Sequence, residues 1–177
     1  SDDLVKSVIQ GHYQTQPMIG YHFYGHCEAF YSFQDTLVQK VLYRMIKPTF
    51  KMIISSACRH LSGPSQIKHI THEITERLTQ QDYRYVIRTD IKSYYASINH
   101  HLLKKMIAQH YDDPRIVKYL RDTIEAPIDR GGWYETPTQG IPRKSSLSGF
   151  FAALFLKPLD QCFDQRKDLF YCRYNDD

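Results

Sequence analysis

Three observations predict an α+β fold whose sheet is mostly antiparallel. Runs rich in Tyr, Phe, Val and Ile alternate with amphipathic helical stretches. Two of the β-prone stretches turn back on themselves at glycines, around Gly20 and Gly25 and around Gly131-Gly132. Neither repeats nor low-complexity linkers divide the 177 residues, a length suited to one sizeable core.

The elements follow in chain order. Leu4, Val5, Val8 and Ile9 form a short helical stripe within residues 1–10. Met18 to Phe33 turns aromatic and alternating, as a hairpin does. Gln34 to Ala57 reads as a long helix with Leu37, Val38, Val41, Leu42, Met45 and Ile46 on one face, and Pro48 is expected to kink or divide it. LSGPS at 61–65 is a loop, and Gln66 to Gln80 an amphipathic helix. Tyr83 to Asp90 is expected to be a strand leading into a turn. Helices are expected over His100 to His110 and over Asp113 to Ile124, with Pro114 in the first turn of the second. Ala126 to Thr136 reads as a hairpin, Phe150 to Phe163 as an apolar helix, and Leu169 to Tyr174 as a strand.

Composition sets outer bounds. The net charge of +4 is mildly basic and compatible with a polyanionic partner without requiring one. Fourteen tyrosines suit a surface that grips or stacks. Cys27, Cys58, Cys162 and Cys172 show no CxxC pairing, which predicts reduced thiols and a cytoplasmic protein rather than a disulfide framework. No apolar run reaches membrane-spanning length, and SDDLVKSVIQ is no signal peptide. The chain stops at Asp177 directly after an aromatic run, which is read as a fragment of a longer protein.

The carboxylates carry the chemistry. Tyr85-Val86-Ile87-Arg88-Thr89-Asp90 sets one acid at the end of a β-prone run, and Tyr171-Cys172-Arg173-Tyr174-Asn175-Asp176-Asp177 ends a second run in two. Either run alone is equally well read as a strand ending in a turn-forming Asp. Were the two strands neighbours, three carboxylates would meet at one sheet end. Such a cluster needs cations to neutralise it, and hard oxygen ligands suit Mg²⁺ or Mn²⁺.

RTDIKSYYASINHHLL at 88–103 resembles the first palm motif of bacterial reverse transcriptases, of the form DIKxFFxSIxHxxL. YCRYNDD at 171–177 resembles their RYxDD box, with Asn175 where Ala is most frequent. GIPRKSSLSGFFAALFLKPLD at 140–160 is similar to the second palm motif, GxPQGxxxSPxxxN followed by an apolar helix and Leu-Asp. Upstream, FQDTLVQKVLYRMIKPTF at 33–50 resembles a fingers helix, and SACRHLSGPSQIKHI at 56–70 the loop and helix written GFRxGrSxxxAI. Residues 30–177 are covered, and the retron, group II intron and abortive-infection branches look closer than the retroviral one.

The resemblance implies a right-hand polymerase fold: fingers at 1–82, and at 83–177 a partial ferredoxin-like palm carrying a fingers-side helical insertion near 100–125, truncated at the YNDD box with no thumb. It implies an RNA-directed DNA polymerase using two Mg²⁺ (or Mn²⁺) ions, an RNA template, a DNA or RNA primer and dNTPs, with a partner protein or accessory domain in the full-length chain. Asp90, Asp176 and Asp177 fall on the catalytic, metal-holding acids, with the Ile91 backbone as a further ligand. Ile91, Lys92, Ser93 and Tyr94 would offer backbone N–H groups to the triphosphate. Tyr95 falls on the aromatic under the incoming sugar, with a core aromatic as the other reading. Ser148 and Gly149 fall near nucleotide and template, and Arg59 and Arg143 on nucleic acid.

Departures accompany the match. Arg143-Lys144 stands where the family has Gln-Gly, and the Lys144 ammonium either touches a phosphate or is solvated. Residues 7–39 hold neither Lys nor Arg, although this region usually supplies cations to the triphosphate. His22, His26 and Cys27 raise the question of zinc, without a fourth ligand at suitable spacing. Lys40, Arg44, Lys47, Lys51 and Arg59 form either a nucleic-acid-facing stripe or a solvated face. A defence or nucleic-acid-binding module with template-independent or lost polymerase activity is the alternative.

Overall fold

The computed structural model describes residues 2–23, 26–62, 66–80 and 83–177, with the side chains at positions 22, 23, 26, 27, 62 and 66 outside the description. The turn expected at Gly25 and the zinc question over His22, His26 and Cys27 therefore lie outside the described residues.

The chain opens with α1 (Asp2–Ile9), then pairs β1 (Met18–Phe23) antiparallel with β2 (His26–Phe30), in a register that sets Ile19 opposite Phe30. Ser32 caps α2 (Phe33–Ile53) by accepting the Asp35 N–H. A short 3-10 turn (His60–Ser62) precedes α3 (Gln66–Thr79). The single turn α4 (Tyr94–Ser97) leads to α5 (His100–Ala108), capped by Asn99. In α6 (Pro114–Glu125) Asp113 is the cap, and Pro114 sits where a missing N–H costs nothing. β3 (Ile128–Asp129) and β4 (Tyr134–Glu135) form the second hairpin, turning through Gly131 and Gly132 at φ +81° and +96°. The chain closes with α7 (Ser148–Phe155) and α8 (Lys157–Asp164).

The sheet runs β2-β1-β3-β4. Both hairpins are antiparallel, and β1 joins β3 in parallel through Met18 opposite Ile128. The expected α+β class with a mostly antiparallel sheet is what forms, and the sheet is mixed. It ties residues on both sides of position 82, and so does the core. Helix α7 is buried on every side, with Phe150 edge-on to Phe50 of α2 at 5.1 Å and to Tyr111 at 6.1 Å. Leu42, Ile46, Leu103, Ile107, Leu120 and Ile124 close around it. Asp35 is buried at the start of α2 and stays there because Tyr13 Oη (2.7 Å), Ser32 Oγ (2.5 Å) and the Gln16 N–H all donate to it.

Four expectations are corrected. Residues 83–90 are irregular and exposed, with Tyr85 85%, Val86 64% and Ile87 87% accessible: β propensity describes a residue suited to a half-buried pleated surface, and among the described residues no strand lies beside this run. Residues 169–174 likewise form no strand; one parallel bridge, Cys58 to Arg173, is all the pairing described there. Pro48 does not divide α2, because it lies on the exposed face, where its ring meets solvent and the carbonyl it leaves unpaired can bind water. The apolar helix at 150–163 is two helices meeting at Leu156, since Pro158 has no N–H to continue the ladder of α7 and is tolerated in the first turn of α8. Among the described residues no helix is long and apolar enough to cross a membrane.

Candidate active site

Four stretches far apart in sequence meet beside the C-terminal end of the described chain: 90–97, 140–149, 171–177 and the loop 57–61. Their contacts are mostly backbone. The Ile91 N–H donates to the Asp176 carbonyl at 3.2 Å, which joins the segment of the lone acid to that of the doublet. The Ile141 N–H donates to the Tyr95 carbonyl at 2.8 Å and the Gly140 N–H to the Ile98 carbonyl at 2.8 Å. Gly140 lies at φ +87°, and a Cβ there would come within 3.1 Å of the Ala96 carbonyl oxygen, so only glycine lets this loop lie against α4. From the loop, the Arg59 N–H donates to the Arg173 carbonyl and the Arg173 N–H to the Ala57 carbonyl, each at 2.9 Å.

A buried ion pair anchors the 171–177 segment. Arg173 donates through Nε (2.7 Å) and Nη2 (2.6 Å) to the two oxygens of Asp160 on α8, with both side chains at most 3% exposed. Tyr171 Oη adds a third donor to Asp160 at 2.8 Å. Burial opposes the charged guanidinium, but the Asp160 bonds and charge outweigh it and hold Arg173 above its usual range. Its remaining arm, Nη1, donates to the Asn175 carbonyl at 2.6 Å. Asn175 sits in the left-handed region at φ +57°, a conformation that Asn tolerates better than most residues. The turn closes between Tyr174 and Asp177, whose N–H and carbonyl groups exchange bonds at 3.0 and 3.2 Å.

His60 completes the junction. Its Nδ1 receives the Asn175 N–H at 3.2 Å, and its Nε2 lies 3.3 Å from the Gly149 carbonyl. Burial, foremost, holds its pKa below the ordinary histidine value. His60 carries no spacing signal in the sequence, since it acts across 89 and 115 residues; Asp160 and Arg173 lie within the motifs quoted above, but 13 residues apart they follow no helix or strand period.

The residues singled out from sequence divide accordingly. Asp90 is exposed and Asp176 half-buried beside the Ile91 backbone. Asp177 is turned to Arg88, whose Nε and Nη2 donate to one of its oxygens at 3.0 and 2.9 Å. Tyr95 is half-buried against Tyr94; its Oη lies 3.5 Å from the Asn175 side-chain oxygen, the Arg143 guanidinium stands 5.5 Å from its ring centre, and burial, then the charge of Asp176, raises its pKa. Tyr94 is core, donating to the Ala152 carbonyl at 2.5 Å. The Ile91 and Tyr94 amides are already bonded, to the Asp176 and Ile91 carbonyls; Lys92 and Ser93 are exposed, with Ser93 at φ +53°. Ser148 is buried, its hydroxyl on the Pro142 carbonyl. Lys144 reaches the first hairpin, pairing with Glu28 at 2.5 Å with its ammonium 4.7 Å from the Phe30 ring centre. Arg59 pairs with Glu73 of α3 at 3.3 Å.

Carboxylate oxygens on two joined segments are the donor type that hard divalent cations take. Among the described residues, however, no group of three or more His, Cys, Asp or Glu side chains is placed to hold a metal ion. The doublet is instead partly neutralised by Arg88, which also feels the charge of Asp90.

No family model matches the chain. Among curated proteins, "Protein YkfC" of Escherichia coli (strain K12) is 23% identical over 136 residues, 75% of this chain and 36% of YkfC, so the chain spans about a third of that relative's length. Among solved structures, a chain of the "Partial Cas6-RT-Cas1--Cas2 complex" superposes on 99% of this chain with a TM-score of 0.60 and 21% identity, this chain covering 31% of it. A chain of the "Cas6-RT-Cas1--Cas2 complex" gives the same TM-score and identity, with 19% of it covered. The shared architecture is a reverse-transcriptase-like fold.

Proposed function

We propose that this chain is the fingers and partial palm of an RNA-directed DNA polymerase that joins dNTPs to a primer 3′-hydroxyl. The observation that supports the reading is the Ile91–Asp176 backbone bond, which joins the segment following Asp90 to the segment of the doublet in a chain with a reverse-transcriptase-like fold. In the reaction the 3′-oxygen bonds to the α-phosphorus of the nucleotide, the bond to the β-phosphate oxygen breaks, and pyrophosphate leaves. Two Mg²⁺ ions would supply charge neutralisation at the attacking and leaving oxygens. Asp90 and Asp176 would hold them, joined by Asp177 once its carboxylate is released from exposed Arg88.

The chain's own residues contribute position and exclusion. Tyr95 places a ring beside Asp176 with Arg143 over its face, a barrier suited to excluding a nucleotide 2′-hydroxyl. Gly140 lets the 140–149 stretch lie against α4, where the Ile141 N–H reaches the Tyr95 carbonyl.

A second reading, a nucleic-acid-binding or defence module that does not copy a template, is favoured by Lys144. This lysine faces Glu28 and Phe30, in a hairpin region with no Lys or Arg of its own. Primer extension by the complete protein on RNA and DNA templates, with Asp176→Asn as control, separates the two. Metal-dependent, template-directed extension lost in the control supports the polymerase. Binding without extension supports the module.

A further inference from the structure

A helix that packs on one side only is expected to turn a polar face to water. Helix α2 does not. Val38, Leu42, Ile46 and Phe50 are buried in the core, yet Phe33, Leu37, Val41 and Met45 are all exposed, and Met52 beyond them is 88% accessible. The first four of these exposed residues are spaced four apart, so they form one continuous ridge along about 18 Å of helix. Scattered apolar residues are ordinary on a surface, whereas a contiguous row of them marks a place of contact.

A strip of charge runs beside the ridge. At 3.6 residues per turn, Lys40, Arg44, Lys47 and Lys51 share one edge of the exposed face, and Leu37, Val41, Met45 and Met52 share the other. All four cations are exposed, and among the described residues none of them has an ion-pair partner; Lys47 stands 6.0 Å from the Tyr43 ring centre. The one acid of the helix, Asp35, is buried and bonded to Tyr13 and Ser32. The exposed face thus carries four positive charges and no negative one.

That combination selects among occupants. A nucleic-acid backbone would take the cations and leave the apolar ridge in water. A second copy meeting this face with its own would bring two cationic strips together with no acid on either. A lipid surface suits an apolar stripe flanked by cations, and here the cations hold one edge alone. A helix with an apolar ridge of its own and acids along one edge covers both features, ridge into groove and carboxylate against cation.

We propose that the exposed face of α2 is a docking site for an acidic amphipathic helix of a partner protein. Phe33, Leu37, Val41 and Met45 supply the apolar contact, and Lys40, Arg44, Lys47 and Lys51 set the partner's charge and register. The site is separate from the acids at 90 and 176–177 and does not rest on the polymerase reading.

The test uses the complete protein and a labelled synthetic helical peptide of about 20 residues, with Leu at every fourth position and Glu along the adjoining strip. A control peptide carries Lys in place of each Glu, and binding is followed by fluorescence anisotropy. Oligouridine and phosphatidylserine vesicles are offered separately. The Glu peptide is expected to bind and the Lys peptide not. Val41→Gln with Met45→Gln is expected to weaken the Glu peptide roughly 10-fold or more. Arg44→Glu with Lys47→Glu is expected to weaken it as much and to create binding of the Lys peptide, a gain that misfolding cannot produce. A Glu peptide that does not bind overturns the proposal, as do two peptides that bind alike or a charge reversal that leaves their order unchanged. Oligouridine bound in place of the peptide, lost on charge reversal and indifferent to the Gln pair, assigns the face to nucleic acid and overturns it too. Vesicle binding lost in both pairs, without peptide binding, does the same in favour of lipid. Asp176→Asn, which tests the polymerase reading, is expected to leave peptide binding unchanged, so the two claims fail separately.

Discussion

The two arms that bring acids to the site are built in opposite ways. The 171–177 arm is short of regular structure, yet every turn of it is tied down, by the buried Arg173–Asp160 pair, by His60, and by the exchange between Tyr174 and Asp177. The 83–90 arm has stronger β character and, among the described residues, little that holds it; Ile87 is 87% exposed and the Arg88–Asp177 pair lies at the surface. An acid can therefore be fixed by buried polar contacts without a sheet, whereas a β-prone run stays irregular until an edge pairs with it.

The largest test of that contrast is Asp160→Asn. It leaves a guanidinium buried against an uncharged partner and is expected to cost about 3–5 kcal/mol by chemical denaturation. Replacing both partners by apolar residues, Asp160→Leu with Arg173→Met, is expected to recover most of that loss, short of the bond that Arg173 gives the Asn175 carbonyl. Gly140→Ala comes next at about 1–3 kcal/mol, from the left-handed φ and the close approach to the Ala96 carbonyl. Asn175→Ala is expected to cost about 1 kcal/mol and Asn175→Gly close to nothing, the signature of the left-handed residue. Ile87→Ser, on the loose arm, is expected to stay within about 0.5 kcal/mol; a cost above about 1 kcal/mol would mean that a strand covers this edge.

What the sequence conveyed follows the same division. Helices α2, α3, α5 and α6 and both hairpins were legible, because a 3.6-residue stripe or a glycine turn reports local geometry. Helix α7 was legible as apolar, but a helix buried all round has no stripe, and only Pro158 hinted at the break before α8. The strands expected at 83–90 and 169–174 failed because β propensity presupposes a neighbour that local sequence does not supply. At the site, the order of the three motifs announced which stretches would meet. His60 could not be assigned its role, since a hydrogen bond across 115 residues leaves no period to read; Asp160 and Arg173 stand within the motifs, but their pairing across 13 residues follows no helix or strand period. Lys144 was left between phosphate and solvent, and its ammonium lies on Glu28 and Phe30.

The central claim is that Asp90 and Asp176 serve one cation. A double-mutant cycle in Mn²⁺ affinity, with Asp90→Asn, Asp176→Asn and the pair in the complete protein, measures it most directly. Each single change is expected to remove most of the binding, and the second to add little to the first. Losses that simply add, or affinity that neither substitution alters, would place the two carboxylates in separate environments and contradict the account.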